Sequence, residues 1–349
     1  MNNLKLLTEL VHVFRGELAE RVHCGSACLV DIDGAVLQSA GDSDYITYSR
    51  STSKPFQALA VILSGAQDKF NFTREELALM CSSHFGEDQH VRVLEQILGK
   101  LGISENELEC PETYSRNARV RMEQIKKGLQ PRKAYSDCSG KHAGMIASCL
   151  AKGLDYRGYL NKEHPLQKFT AKLVSAVYGV PESSLIIGID GCGVPVFSAS
   201  VKHMAHAYCK LILGAGTRDQ SLDDALCILS DAMMAHPVML AGTNGLCSLL
   251  TEYLAPNGLA KVGADGVYCA GFLLNGKAYG LALKIADGNY DASEFAVCRI
   301  LQELGVLKNE VPHSLKKYTE RKLLNEHTMT VGDFVLACAD SFHPLVRGQ

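Results

Sequence analysis

At 349 residues, 47% of them hydrophobic and 21% charged, the chain is long enough for one large or two modest domains with a substantial core. Its net charge of −3 gives no electrostatic reason to expect nucleic acid or an anionic membrane as a partner. No apolar run approaches a membrane span, and the start, Met1-Asn2-Asn3-Leu4-Lys5-Leu6-Leu7-Thr8-Glu9, lacks the apolar core and small-residue cleavage site of a secretory signal. The 13 cysteines are odd in number and scattered, so they read as reduced thiols, mostly buried small apolar residues such as Cys149, Cys227 and Cys298. A cytoplasmic, soluble protein is the expectation.

The first strand signal is a pair of runs, Cys28-Leu29-Val30-Asp31-Ile32 and Ala35-Val36-Leu37-Gln38-Ser39. They flank Asp33-Gly34, a dipeptide suited to the positive φ angles of a tight hairpin turn. Next, Tyr48-Ser49-Arg50-Ser51-Thr52-Ser53-Lys54-Pro55-Phe56-Gln57 joins a polar turn to an apolar run that reads as a buried helix from near Ser51 to near Gly65. A short helix follows from Glu75 to Met80. Val91, Leu94, Ile97, Leu98 and Leu101 fall at helical spacing and predict a helix from Asp88 to Leu101. A more polar helix runs from Asn117 to Gly128, and an apolar one follows Asp137-Cys138-Ser139-Gly140-Lys141-His142-Ala143-Gly144-Met145 to about Lys152. Pro165 to Tyr178 is helical. Ile186 to Pro195 reads as a strand entering a glycine-rich turn.

Helices are expected over 198–213, 222–235 and 243–253. Strands return at Ala260-Lys261-Val262-Gly263 and on either side of Asn275-Gly276, from Tyr268 to Leu274 and from Lys277 to Ile285. A helix from Ala292 to Leu304 and a strand from Val331 to Ala337 close the chain. This order predicts an α+β fold: an antiparallel sheet from N- and C-terminal strands, packed with helices, plus an inserted helical lobe. The whole chain reads as a single catalytic unit, with a sheet lobe over 1–66 and 255–349 and a mostly helical lobe over 67–254. The active cleft is expected where sheet and helices meet.

If the helix starts near Ser51, then Ser51 and Lys54 lie one turn apart on one face. A hydroxyl and an amine so placed form a nucleophile–base pair. The spacing alone is weak, because Ser-x-x-Lys recurs by chance in a chain of this length. Ser83 and Lys261-Val262-Gly263 add a second hydroxyl and a strand-borne amine. This layout resembles the serine β-lactamases and penicillin-binding proteins. It departs from them in having His84-Phe85 after Ser83 and Val262 where Thr is usual.

A closer resemblance covers nearly the whole chain. It is carried by Arg50 to Gln57, by Ser82-Ser83-His84 with Gly86-Glu87 and His90, by Cys138 to Met145, by Gly188-Ile189-Asp190-Gly191-Cys192-Gly193-Val194-Pro195, and by Lys261-Val262-Gly263-Ala264-Asp265-Gly266. With these stretches the sequence resembles the asparaginase II family, the class 3, Rhizobium inducible-type L-asparaginases. The resemblance implies hydrolysis of L-asparagine to L-aspartate and ammonia, a fold like that of serine β-lactamases and glutaminases, and a homodimer. It also implies two Ser–Lys tandems, Ser51–Lys54 and Ser83–Lys261, and a Zn2+ site on Cys138, Lys141 and Cys192. One departure is Gly242-Thr243-Asn244-Gly245, where an Arg is expected near Asn244; it bears on substrate range more than on reaction type.

The expected mechanism has Ser51 attack the amide carbon while a neutral Lys54 takes its proton. Ser83 and Lys261 relay a proton to the leaving ammonia. A neutral Lys54 needs its pKa to fall from about 10.4 towards 7, through burial and a second ammonium nearby. From chemistry alone, zinc would take Cys138, Cys192 and one of His142 or His84; the resemblance points instead to Lys141. Asp190 is expected to pair with the substrate's α-ammonium or with Lys141, and Arg50 to hold the α-carboxylate or stand as a surface charge. His84 and His142 complete the expected substrate-binding set. A glutaminase or other small-amide hydrolase of the same fold is the alternative within enzymes. An inactive amino-acid-binding homologue is the alternative outside them.

Overall fold

The computed structural model describes residues 6–345, so Met1 to Lys5 of the N-terminal stretch lie outside the described residues. The chain opens with β1 (Thr8–Arg15), β2 (Leu18–Asp31), β3 (Val36–Ala40) and β4 (Ile46–Tyr48). A 3-10 turn at Arg50–Ser53 leads into α1 (Lys54–Leu63), α2 (Ala66–Phe70), α3 (Arg74–Met80), α4 (Asp88–Leu101), α5 (Ala118–Lys126), α6 (Ser139–Ala151) and α7 (Pro165–Tyr178). A hairpin of β5 (Ile187–Ile189) and β6 (Pro195–Ser200) precedes α8 (Val201–Leu213), α9 (Gln220–Ala235), α10 (Val238–Ala241) and α11 (Leu246–Leu254). The chain ends with β7 (Gly258–Gly263), β8 (Val267–Leu274), β9 (Lys277–Ile285), α12 (Tyr290–Glu303), α13 (His313–Thr319), β10 (Lys322–Leu324) and β11 (Thr330–Leu336).

Two compact units result. One holds Met1–Thr47, Ala199–Cys209 and Ala260–Gln349; the other holds Tyr48–Ser198 and Lys210–Leu259. The first is built on an antiparallel sheet in the order β10-β11-β1-β2-β9-β8-β7, with β3 also paired to β2. Asn275 and Gly276 both have positive φ, as the two-residue turn between β8 and β9 requires. Gly34, at φ +79°, does the same work between β2 and β3. Helix α12 lies against β1, β8, β9 and β11 and buries Phe295, Ala296 and Ile300 on that face. The fold class is therefore α+β with an antiparallel sheet from both ends of the chain, as expected. Several elements had no sequence expectation: β1, β4, β6, α2, α10, α13 and β10.

The second unit is mostly helical. Helix α1 packs on α6, α7 and α9, so it belongs here and not to a sheet lobe reaching residue 66. Two glycines of α6 permit close helix contact. A Cβ on Gly140 would stand 2.3 Å from the carbonyl oxygen of Leu79, and one on Gly144 would stand 3.1 Å from Val61 Cγ2. Helix α6 is thereby drawn against α3 and α1, and its first turn carries Lys141 and His142. None of the thirteen cysteines is in a disulfide; most are buried, but Cys227 is exposed, against the expectation of a core thiol. Among the described residues no helix is long and apolar enough to cross a membrane.

Candidate active site

The Ser51 turn is 3-10, and the α-helix proper begins at Lys54 with Pro55 in its first turn, where no N–H partner is needed. Arg50 has φ +50°, a left-handed conformation that costs a side-chain-bearing residue about 1–2 kcal/mol. An ion pair holds it there: Arg50 Nε donates to Asp190 Oδ1 at 2.9 Å. Asp190 Oδ1 also accepts from the Gly191 N–H at 2.9 Å. Arg50 and Asp190, expected to grip the two ends of a substrate, are thus paired with each other. The pair ties the Ser51 turn to the turn bearing Cys192.

Lys54 is almost wholly buried, at 1% exposure. Its ammonium donates to Ser83 Oγ at 3.1 Å and to the Asp137 carbonyl at 3.1 Å, and lies 3.7 Å from Asp137 Oδ2. No hydrogen bond links it to Ser51 among the described residues. Sequence proximity suggested Ser51 as its partner, but the long side chain crosses to the loop after α3. Burial works to lower the Lys54 pKa. The Cys138–Cys192 pair, whose one negative charge falls to Cys192, and the Asp137 carboxylate work the other way and prevail over burial and Lys141, so the pKa is raised. These surroundings favour the charged form of Lys54 over the expected neutral amine. Asp137 is its counter-ion. Burial pushes Asp137 up, but Lys54, and Arg116 with Nη1 at 3.1 Å, hold it well below the usual carboxylate range.

His84 is fully buried and does not line an open site. Its Nδ1 accepts from the Gly86 N–H at 3.0 Å, so Nε2 carries the hydrogen and donates to Ser139 Oγ at 2.8 Å. The ring stacks on His90 with centroids 5.0 Å apart. Burial, then the neighbouring His90, push the His84 pKa well below its ordinary value; burial also lowers His90. His84 thus shapes the loop that carries Ser83.

Cys138, Lys141 and Cys192 come together, all buried. Lys141 Nζ donates to Cys192 Sγ at 3.0 Å. The Cys138 thiol is pushed up, by Cys192 first and then by burial. The Cys192 thiol is pushed down, by Cys138 first against the cost of burial, with Lys141 and His142 helping. Burial works to lower Lys141, but Cys138 and Cys192 outweigh it and raise its pKa. Two sulfurs and a nitrogen are donor chemistry that zinc accepts. Among the described residues, no group of three or more His, Cys, Asp or Glu side chains is arranged to hold a metal ion, so the set fits only with Lys141 as the third donor.

Hydrogen counting separates His142 from that set. Tyr159 is fully buried and its Oη accepts from the Glu109 N–H at 2.8 Å. Its own hydrogen is left for His142 Nδ1, at 2.6 Å. Nε2 of His142 then carries a hydrogen and has no hydrogen-bond partner among the described residues. In that tautomer Nε2 does not ligate a metal, contrary to the expectation from chemistry alone. Lys261 lies in β7 of the sheet unit, fully buried, with Nζ 3.0 Å from the Val262 carbonyl. Tyr159 and Ser139 carried no sequence expectation; Ser139 lay within a matched stretch, but nothing in the residue types marked Tyr159.

The helical unit thus holds two buried serines, Ser51 and Ser83, a buried lysine bonded to one of them, and a thiol–amine cluster. The chain belongs to the L-asparaginase II family, whose model matches residues 11–336. No curated protein matches it. Among solved structures it is similar to Mglu in its native form in the presence of 4.3M NaCl, at 15% identity over 87% of this chain and 66% of that one, with a TM-score of 0.36. A second is Mglu in its glutamate form, at 14% identity over 85% of this chain and 64% of that one, again with a TM-score of 0.36. The chain spans about two thirds of the length of those proteins.

Proposed function

We propose that the chain is an L-asparaginase that hydrolyses the side-chain amide of L-asparagine to L-aspartate and ammonia through an acyl-enzyme on Ser51. Membership of the family supports the reaction. The observation that carries the residue assignment is the buried Lys54 ammonium on Ser83 Oγ, at the start of the helix that Ser51 precedes. In acylation the Ser51 Oγ–carbon bond forms and the carbon–nitrogen bond breaks. The Ser51 proton ends on Lys54, whose own proton passes through Ser83 Oγ to the leaving nitrogen, so ammonia departs and the ammonium is restored. Water then breaks the ester, and one of its protons returns to Ser51.

This differs from a mechanism that starts with a neutral Lys54. It needs a donor to the leaving group first, and the Asp137 and cysteine charges supply a reason for Lys54 to hold that proton. Lys261 is retained, on the resemblance, as the second amine of the reaction. Cys138, Lys141 and Cys192 would hold zinc, Lys141 as the free amine. When bound, the ion supplies a positive charge suited to gripping a carboxylate. Arg50 and Asp190 orient the Ser51 turn by pairing with each other. A homodimer and a cytoplasmic location belong to the same proposal. Ammonia release from L-asparagine by wild type and by Ser51→Ala tests it: the proposal expects release that the substitution abolishes, and equal release from both would remove Ser51 from the reaction.

A further inference from the structure

Glu87 caps the N-terminus of α4 and His90 stands in its first turn; neither takes part in the chemistry above, yet both grip one short segment. The Glu87 carboxylate is 94% withdrawn from solvent, at 6% exposure. Its Oε2 accepts from the Thr243 N–H at 3.0 Å, from Thr243 Oγ1 at 2.9 Å and from Gln89 Nε2 at 2.9 Å. Its Oε1 accepts from Asn117 Nδ2 at 2.6 Å. His90 Nδ1 accepts from the Glu87 N–H at 3.0 Å, so its Nε2 donates, to the Val238 carbonyl at 3.1 Å. Val238 opens α10 and Thr243 lies just past its end, so this short helix is held at both ends by one turn of α4. Between those ends, the Leu240 carbonyl accepts the Ser83 N–H at 3.0 Å. Gly242 has no room for a side chain: a Cβ would stand 3.0 Å from Glu87 Oε1 and from His90 Cε1.

We propose that Glu87 is a positioning residue for Ser83. It fixes Ser83 from two sides, directly through the three-residue connection His84-Phe85-Gly86 and indirectly through Thr243, α10 and Leu240. The inference rests on the reading of Ser83 as part of the reaction. The same clamp sets the Gly242–Gly245 turn, where the sequence departs from the expected family pattern. Thr243→Val removes one hydroxyl donor and keeps the volume. Thr243→Ser keeps the donor. Glu87→Gln removes an acceptor, because Asn117 cannot turn its amide round: its Oδ1 already accepts from the N–H groups of Arg119 and Val120.

The test is steady-state ammonia release from L-asparagine, with circular dichroism showing each variant folded at the assay temperature. Misplacing a reacting group by a fraction of an ångström slows chemistry without weakening substrate binding. Glu87→Gln should lower kcat about 10-fold or more and Thr243→Val about 5-fold, with KM within about 2-fold and Thr243→Ser near wild type. A folded Thr243→Val with kcat unchanged overturns the inference, as does Thr243→Ser falling equally far. Should Glu87→Gln not fold, the two Thr243 variants decide. A wild type that releases no ammonia would strike the reading of Ser83, and this inference with it, before any variant is compared.

Discussion

The buried histidines make acid stability a direct test of how the Ser83 loop is built. His84 and His90 are neutral in the folded chain, their pKa values lowered by burial, whereas in the unfolded chain each takes up a proton near pH 6.5. Below that pH the unfolded state binds more protons than the folded one, so stability is fully present above about pH 6.5 and falls as the pH drops towards the folded values. A histidine that stays neutral throughout loses about 1.4 kcal/mol between pH 7.5 and 5.5, so the pair accounts for up to about 2.7 kcal/mol. Protonating His84 at Nδ1 would also set a new N–H against the Gly86 N–H it now accepts. Urea unfolding at the two pH values measures the loss. Repeating it with His84→Gln, whose amide can keep one donor and one acceptor, should shrink the pH-dependent loss by about 1.4 kcal/mol. An unchanged difference in that variant, or a His84 ring titrating near pH 6.5 by NMR, would refute the reasoning.

Three further outcomes follow from the same geometry. Gly140→Ala places a methyl group 2.3 Å from the Leu79 carbonyl oxygen; it should cost about 2–3 kcal/mol in urea or prevent folding, and a neutral result would mean α6 does not need that approach to α3. Zinc measured by elemental analysis should drop from stoichiometric in wild type to near zero in Cys192→Ala; equal content in both would remove the proposed ligand set. Lys261→Met should lower the rate of ammonia release by about 10²-fold or more, as loss of a proton-transfer group does, and wild-type activity would take Lys261 out of the reaction.

Much of the fold was legible because single elements carried their own signals. The apolar spacing from Val91 to Leu101 marks α4, and Pro165 marks the start of α7. Strand β6 escaped because all six of its residues are buried, which removes the alternation by which a half-exposed strand is read, and because it opens with a proline. The site was less legible than the fold. Motif residues announced themselves by type, but their pairings join distant positions: Arg50 to Asp190, and Lys54 to Ser83 and Asp137. Spacing along a helix says which residues share a face; it does not say where a four-carbon side chain will reach. The charge of Lys54 was unreadable for the same reason, since it depends on Asp137 and the Cys138–Cys192 pair, brought in from two other segments.

The acyl-enzyme is the point on which the account turns. Peptide mass spectrometry after rapid quenching with a slowly deacylated asparagine analogue should place the acyl group on Ser51, and none should form in Ser51→Ala. An adduct on Ser83 with Ser51 unmodified would contradict it, as would turnover of L-asparagine undiminished in Ser51→Ala.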